Sequence, residues 1–522
     1  VRNAYQVAKV RAAEAALMAL VPDGALMQRA AAGLASVCAG ILRENGGVYG
    51  AKVVVLTGTG DNGGDALYAG ARLASRGAEV TAIAAGARVH ALGAAALRAA
   101  GGRIIPIAPP RAPDDTVPDI PVRYDAGIEV RRAIGYADLI LDGLLGIGGK
   151  GGLRDPFATL AQQAMNSPGA LVAVDLPSGI DADTGAVEGP AVRADVTVTF
   201  GTLKPGLLID PGATHAGVVE LVDIGLAPHL IDVPDAKAAR NDDIARMLPR
   251  PGPESDKYRR GVLGLLAGSD QYTGAAVLAT GAAVHGGAGM VRLVTAPGSA
   301  AVVRRDWPEV VITELQASTG VRSGKGFPES AGRVQAWAAG PGMGTDDVAE
   351  ARLAAVLRTS LPVLVDADGL TIVARREGLL PRPAPTLLTP HAGELGRLIG
   401  ADPVDVAARR VEHARAAARR YGACVLLKGS TTVIAEPGGT EPVLVNTTGT
   451  PWLATAGSGD VLSGLAGALL AQGLLPPQAA LAAAYLHGLA ARHAAGSAGP
   501  IGASDVVRAI PAAFRALYDR GA

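Results

Sequence analysis

Cysteine is nearly missing from this 522-residue chain. Cys38 and Cys424 stand far apart, which argues against a disulfide framework or a zinc cluster and leaves two reduced, buried thiols. Excess charge of either sign is missing too: Lys+Arg and Asp+Glu both number 48, so no net positive field exists to hold nucleic acid or an anionic membrane. Charged residues are only 18% of the chain against 49% hydrophobic, too little charge for disorder and ample apolar surface for globular cores. Long hydrophobic runs are absent as well. The apolar stretch Val461 to Leu475 runs to about 15 residues, short of the roughly 20 a membrane span needs. Residues 1–21 alternate charged and apolar positions at helical spacing, without the unbroken apolar segment of a signal peptide. A soluble, cytoplasmic protein without nucleic-acid or membrane partners is expected.

The length exceeds what one hydrophobic core supports, and two large domains fit it best. After helical segments at Arg11 to Leu20 and Gly24 to Asn45, short apolar runs recur at Lys52–Thr57, Glu79–Ala84, Leu139–Asp142, Leu171–Val174, Val196–Phe200 and Val218–Val222. Helix-like stretches between several of them predict a mostly parallel sheet covered on both faces. A mixed, proline-bearing segment from Leu226 through Pro253 reads as the connection. A second series follows at Gly261–Ala267, Met290–Thr295, Val310–Glu314, Val334–Ala339, Pro362–Asp366 and Thr386–Leu388. Cys424–Leu427, Thr432–Ala435 and Val443–Val445 are close enough to be antiparallel additions, and three helices end the chain.

Chemistry concentrates where these strands end. KVVVLT runs into Gly58-Thr59-Gly60-Asp61-Asn62-Gly63-Gly64-Asp65 and then a helix, a turn whose free amides suit phosphate. These glycines satisfy G-x-G-x-x-G, yet Glu79 begins its strand instead of ending it, so the dinucleotide fingerprint is a poor match. Asp142 ends a second strand, ahead of the flexible loop Gly146-Ile147-Gly148-Gly149-Lys150-Gly151-Gly152; Leu144 and Gly151 spoil that loop as a Walker A sequence. A third strand ends in Asp175-Leu176-Pro177-Ser178-Gly179. Singly, Asp142 and Ser178 read as a capping carboxylate and a turn serine.

Jointly, GDNGGD, LDGLLGIGGKGG and VDLPSG resemble the NAD(P)H-hydrate epimerase domain over roughly residues 1 to 225. That resemblance implies a Rossmann-like three-layer sandwich. It implies a potassium ion held by Asn62, Asp142 and Ser178, the oxygen ligands a hard cation takes. It also implies contacts to hydrated nicotinamide nucleotide from Asp61, Asn62, Gly63, Gly64 and Asp65, from Gly146 to Gly152, and from Asp175, the candidate acid/base. The family often carries a second asparagine where this chain has Asp61, whose charge near phosphate needs a cation or a helix dipole to offset it.

In the second half, Asn446-Thr447-Thr448-Gly449 precedes Ala454-Thr455-Ala456-Gly457-Ser458-Gly459-Asp460. Small residues leave the amides of a helix start bare beside a carboxylate, which is what phosphoryl transfer to a hydroxyl needs: a proton acceptor and fixed dipoles. Lys428-Gly429-Ser430-Thr431-Thr432 offers an amine with hydroxyl and amide donors. AGS-x-x-Y-x-GA at 267–275, GPGMG at 340–344, DADG at 366–369 and TPHAGE at 389–394 outline the same rim. His391 has no Cys or His partner at metal spacing, and His487 and His493 do not form an i,i+4 pair.

This set resembles the ADP- or ATP-dependent NAD(P)H-hydrate dehydratase, a ribokinase-like α/β domain, over roughly 245 to 520. The resemblance implies that Lys428, Gly429, Ser430, Thr431, Thr432 and Gly459 bind the adenine nucleotide. Ala275, Gly342, His391 and Asp460 would meet the hydrated substrate, with Asp460 as base and magnesium (Mg2+) neutralising the phosphates. The implied organisation is an epimerase domain at 1–227, a linker at 228–244 and a dehydratase domain at 245–522. The implied activity is bifunctional: R and S forms of NADHX and NADPHX interconvert with K+ present, and the S form is dehydrated at the expense of ADP or ATP. Self-association through the dehydratase half is also expected. Two rivals are weighed: a ribokinase-like vitamin or sugar kinase with an accessory nucleotide-binding domain, and an N-terminal half that only binds nucleotides or partners. TPHAGE and the segment at 267–275 favour the dehydratase over the kinase, and Asp175 argues against a non-catalytic first half.

Overall fold

The computed structural model describes residues 1–86, 88–107, 124–315, 327–497 and 499–519. Asn3–Asp235 forms one compact unit, and Ala236–Ala522, with Val1–Arg2, forms the other. Strand Ala236–Ala238 and helix Asn241–Met247 belong to the second.

The first unit is built on a seven-stranded sheet. Its order is Arg103–Pro106, Glu79–Ala84, Lys52–Thr57, Leu139–Gly143, Ala170–Val174, Val196–Phe200, Val218–Val222. Every adjacent pair is parallel. Its inner strands are near-continuous apolar runs because both faces are covered, and alternate residues serve opposite cores. Val53 and Val55 join Leu34, Cys38 and Leu67 on one side. Val54 and Leu56 join Ile134, Leu160 and Ala164 on the other. The expected three-layer α/β sandwich is therefore present. From Lys52–Thr57 the chain first builds outward through 79–84 and 103–106, then returns to 139–143 and builds the other way. Such a reversal opens a crevice beyond the carboxyl ends of the two central strands.

Helix Ala25–Glu44 is long and apolar enough in composition to cross a membrane, although Gln28, Arg29 and Arg43 interrupt its apolar run. Its Leu34, Ala35, Cys38 and Leu42 are buried against the sheet.

In the second unit, strands run in the order Ala236–Ala238, Val443–Asn446, Thr432–Ala435, Cys424–Leu427, Thr386–Leu388, Val363–Val365, Ala336–Ala339, Val262–Leu266, Met290–Thr295, Val311–Glu314. The antiparallel addition expected for three of these is corrected: only Thr432–Ala435 opposes its neighbours, and 424–427 pairs parallel with 386–388. Two successive hairpin connections reverse the chain twice, so 443–446 points the same way as the parallel core. Three helices close the chain, Ser458–Ala471, Pro476–Ala495 and Ala503–Tyr518, packing with Thr273–His285 over Leu263, Leu265, Ala336 and Ala338. Glycine allows the close approach: a methyl on Gly464 would lie 2.0 Å from the Ala279 carbonyl oxygen.

Candidate active sites

In the first unit the loops at the topological reversal touch. A methyl on Gly58 would lie 2.0 Å from the Leu144 carbonyl oxygen, and one on Gly63 would lie 2.5 Å from Thr57 Oγ1. Glu79 sits at the other end of its strand, away from this rim.

Asn62, Asp142 and Ser178 meet around Leu145. The Ser178 hydroxyl donates to Asp142 Oδ1 at 2.6 Å and its backbone N–H to Oδ2 at 2.8 Å. Leu145 N–H donates to Ser178 Oγ at 2.9 Å, and Asn62 Nδ2 donates to the Leu145 carbonyl at 3.1 Å. Asp142 is wholly buried; burial raises its carboxyl to about 6 against the hydrogen bonds from Ser178. A carboxylate, a hydroxyl, an amide and a backbone carbonyl make an oxygen-rich set that fits a hard monovalent cation. Gly146 abuts Asn62, and Gly152 packs on Gly189.

Asp175 lies at the next strand end in the left-handed backbone region, with φ of 63°. Held strain of this kind collects at functional positions. Its Oδ1 accepts from Lys204 Nζ at 2.6 Å, Thr199 Oγ1 at 3.0 Å and Phe200 N–H at 3.1 Å. Lys204 is only 1% exposed, and its ammonium also donates to Thr199 Oγ1 and the Phe200 carbonyl. The sequence reading passed over this lysine; the one available signal was its place in TLKPG just beyond strand 196–200. Asp65 has a buried Oδ1 with no hydrogen-bond partner. Burial, then Asp175, Asp61 and Glu14, push its carboxyl well above the usual range. Glu14, on helix Val7–Met18, is raised by burial and lies within electrostatic reach of Lys204 and Asp175. Asp61 occupies the first turn of helix Asp61–Ala74, where the helix dipole favours a carboxylate.

In the second unit Gly457 has φ of 85° and turns the chain into helix Ser458–Ala471, with Asp460 in its first turn. Burial raises Asp460 to about 6, helped by Asp366, Asp368 and Glu394 and opposed by Lys428. Lys428 Nζ lies 2.8 Å from Asp366 Oδ1 and 3.5 Å from Glu394 Oε2. Burial opposes its ammonium, but these two carboxylates outweigh it and the pKa rises. Ser463 Oγ donates to Asp366 Oδ2 at 2.6 Å. A methyl on Gly459 would lie 3.5 Å from Lys428 Nζ, so those two predicted nucleotide residues face each other. Gly342 and Ala275 also meet, at 2.8 Å by the same measure. His391 caps helix Ala392–Ile399, its Nδ1 accepting from Gly393 N–H at 3.0 Å, and Glu394 follows it. Thr432 lies within its strand, 8% exposed and opposite Asn446, while the Ser430 carbonyl approaches Gly449. Arg410, 5% exposed, donates to the Leu427 and Lys428 carbonyls and holds the Lys428 loop, a role no local motif announces.

Two α/β units, each with a carboxylate-centred site at the carboxyl rim of its sheet, define a two-site enzyme. Family comparison agrees: residues 263–512 match the model described as NAD(P)H-hydrate dehydratase, and residues 23–206 match that described as YjeF-related protein N-terminus. The bifunctional NAD(P)H-hydrate repair enzyme Nnr of Mycobacterium leprae is 47% identical over 99% of this chain and 100% of its own. That of Mycobacterium tuberculosis is 47% identical over 92% of this chain and 91% of its own. The crystal structure of the ADP/ATP-dependent NAD(P)H-hydrate dehydratase from Bacillus subtilis, co-crystallised with ATP and magnesium, is 29% identical. It covers 53% of this chain and 97% of its own, with a TM-score of 0.48. The chain belongs to the bifunctional NAD(P)H-hydrate repair enzymes.

Proposed function

We propose that residues 1–227 interconvert the R and S epimers of NADHX and NADPHX, and that residues 245–522 dehydrate the S epimer at the expense of ADP or ATP. The observation that carries this reading is Asp460 in the first turn of a glycine-opened helix, beside Lys428 and raised to about 6. In the dehydratase step Asp460 takes the proton of the ring hydroxyl while its oxygen attacks the terminal phosphoryl group. The bare amides at Gly459 and the Lys428 ammonium steady the charge in transit. The C–O bond then breaks and the ring oxygen leaves within phosphate, the adjacent ring carbon gives up a proton to solvent, and the electron pair of that C–H bond restores the dihydronicotinamide double bond. Lys428 to Thr432 would hold the nucleotide, and Ala275, Gly342 and His391 the substrate.

In the epimerase step Asp175, oriented by Lys204 and Thr199, serves as the acid/base for the proton transfers that accompany inversion of the hydroxylated ring carbon. The loops at 61–65 and 146–152 would hold the nucleotide. Asn62, Asp142 and Ser178 would hold potassium, which would supply positive charge to an anionic substrate. Among the described residues no group of three or more His, Cys, Asp and Glu side chains is spaced to hold a metal alone. Magnesium would come with the nucleotide's phosphates, whose charge it would neutralise. A cytoplasmic setting and self-association through the C-terminal unit go with this reading.

The test follows the absorbance of reduced nicotinamide as the protein meets mixed NADHX epimers with ADP, ATP or neither, with Asp460→Asn as control. Recovery from both epimers, dependent on nucleotide and lost in the variant, supports both assignments. Recovery of one epimer alone removes the epimerase assignment; no recovery, with phosphorylation of a vitamin or sugar instead, replaces the dehydratase by a kinase.

A further inference from the structure

Helix Pro476–Ala495 separates two polar clusters of the second unit. From one face buried His487 lies against the backbone of Ser458, in the glycine-rich turn beside Asp460. Tyr485 stands two residues earlier, about 200° round the helix axis, and its hydroxyl donates to Asn241 Oδ1 at 2.6 Å. On this second face lies a cavity of about 440 Å³, walled by Arg2, Arg240, Asn241, Asp242, Thr447 and Tyr485 among others. It opens at the carboxyl ends of the paired strands Ala236–Ala238 and Val443–Asn446.

Two guanidinium groups share this wall. Arg2 is half-buried and donates to Thr447 Oγ1 at 2.9 Å. Burial lowers its pKa, and the charge of Arg240 lowers it further, so the two cations act on each other across the cavity. Arg240 is exposed; of the two acids that follow it, Asp243 is already engaged, pairing with the Val1 ammonium at 2.6 Å and Arg246 at 2.7 Å and accepting the Arg240 backbone N–H at 2.9 Å. Asp242 is the one carboxylate on the wall, leaving it net positive. Like charges converging in a concave site are relieved by an anion between them, and paired guanidiniums with a hydroxyl match phosphate oxygens.

The geometry points to a second anion site, in which Arg2, Arg240 and Thr447 bind a small phosphate- or pyrophosphate-bearing molecule on the face of helix Pro476–Ala495 opposite the Asp460 turn. Its volume lies in the range of small-molecule pockets, large enough for pyrophosphate or a mononucleotide. Neither the epimerase nor the dehydratase reading uses Arg2 or Arg240; Thr447 belongs to the Asn446–Gly449 motif of the second unit, and its hydroxyl accepts from Arg2.

Phenylglyoxal labelling of the full chain, read at each arginine by peptide mass spectrometry, tests the site with sodium pyrophosphate, AMP, and sodium chloride matched in ionic strength. With pyrophosphate at ten times its Kd, labelling of Arg2 and Arg240 should fall about tenfold, while Arg259 and Arg508 keep their chloride rates. Protection by AMP as well assigns the phosphate to a nucleotide; protection by pyrophosphate alone assigns it to a free anion. Arg240→Ala, at an exposed position, should abolish protection of Arg2 and leave nucleotide-dependent NADH recovery unchanged. Equal protection by chloride, equal protection of all exposed arginines, or protection of Arg2 that survives Arg240→Ala overturns the site.

Discussion

Among the described residues Lys204 is the one cation paired with Asp175, and Lys204→Met removes it. At 2.6 Å the pair's gross attraction is about 6 kcal/mol at an effective dielectric of about 20. Desolvation of both groups offsets part of that. The larger loss comes from leaving a carboxylate 8% exposed without its counter-charge, and breaking such a buried pair costs ~3–5 kcal/mol. Asp175 retains its donors from Thr199 and the Phe200 N–H, which places the expected cost toward the lower end of that range. The two units can be followed separately, because Trp307, Trp337 and Trp452 all lie in Ala236–Ala522. In a guanidinium titration, Lys204→Met should shift a far-ultraviolet dichroism transition downward and leave the tryptophan fluorescence transition in place. Adding Asp175→Asn should restore most of the loss, because the uncompensated charge goes with it. A shift smaller than about 1 kcal/mol, or a double variant no more stable than Lys204→Met, would refute the pairing as the source of the effect.

Because Asp460 acts ionised and sits at about 6, dehydration kcat/KM should be flat above neutrality and fall as pH drops through 6; a profile flat to pH 5 would remove it as base. Asp460→Asn should lower turnover by ~10²–10⁴, measured as NADH recovery from the S epimer. Ser178→Ala takes the hydroxyl donor from buried Asp142, costs ~1–3 kcal/mol, and should weaken potassium activation of epimerisation while dehydration is unaffected, read by replacing potassium with tetramethylammonium. Gly464→Ala drives a methyl onto the Ala279 carbonyl and should destabilise the second unit by ~1–3 kcal/mol in the tryptophan transition. Cys38, wholly buried and pushed up to about 12 by burial, should react with a thiol reagent only on unfolding.

Strands such as Lys52–Thr57, Leu139–Gly143 and Ala170–Val174 were legible because burial on both faces leaves a near-continuous apolar run, which turn residues then end. The short strand Arg103–Pro106 was not, since half of its residues are exposed at the sheet edge and carry no such run. Motif order placed Asp142, Asp175, Ser178 and Asp460 at strand or helix ends, where the structure has them. Lys204 and Ser463 escaped because their partners lie 29 and 97 residues away, beyond any local pattern.

By itself the sequence determined two mostly parallel α/β units, the polar loops at their strand ends and the order of the motifs, since periodicity and turn chemistry are local properties of the chain. Which carboxylate gains a buried lysine, which is raised toward neutrality, and which strand of the C-terminal trio opposes the others were decided only by the tertiary structure. Burial and charge pairing depend on distances that residues acquire when the chain has closed on itself.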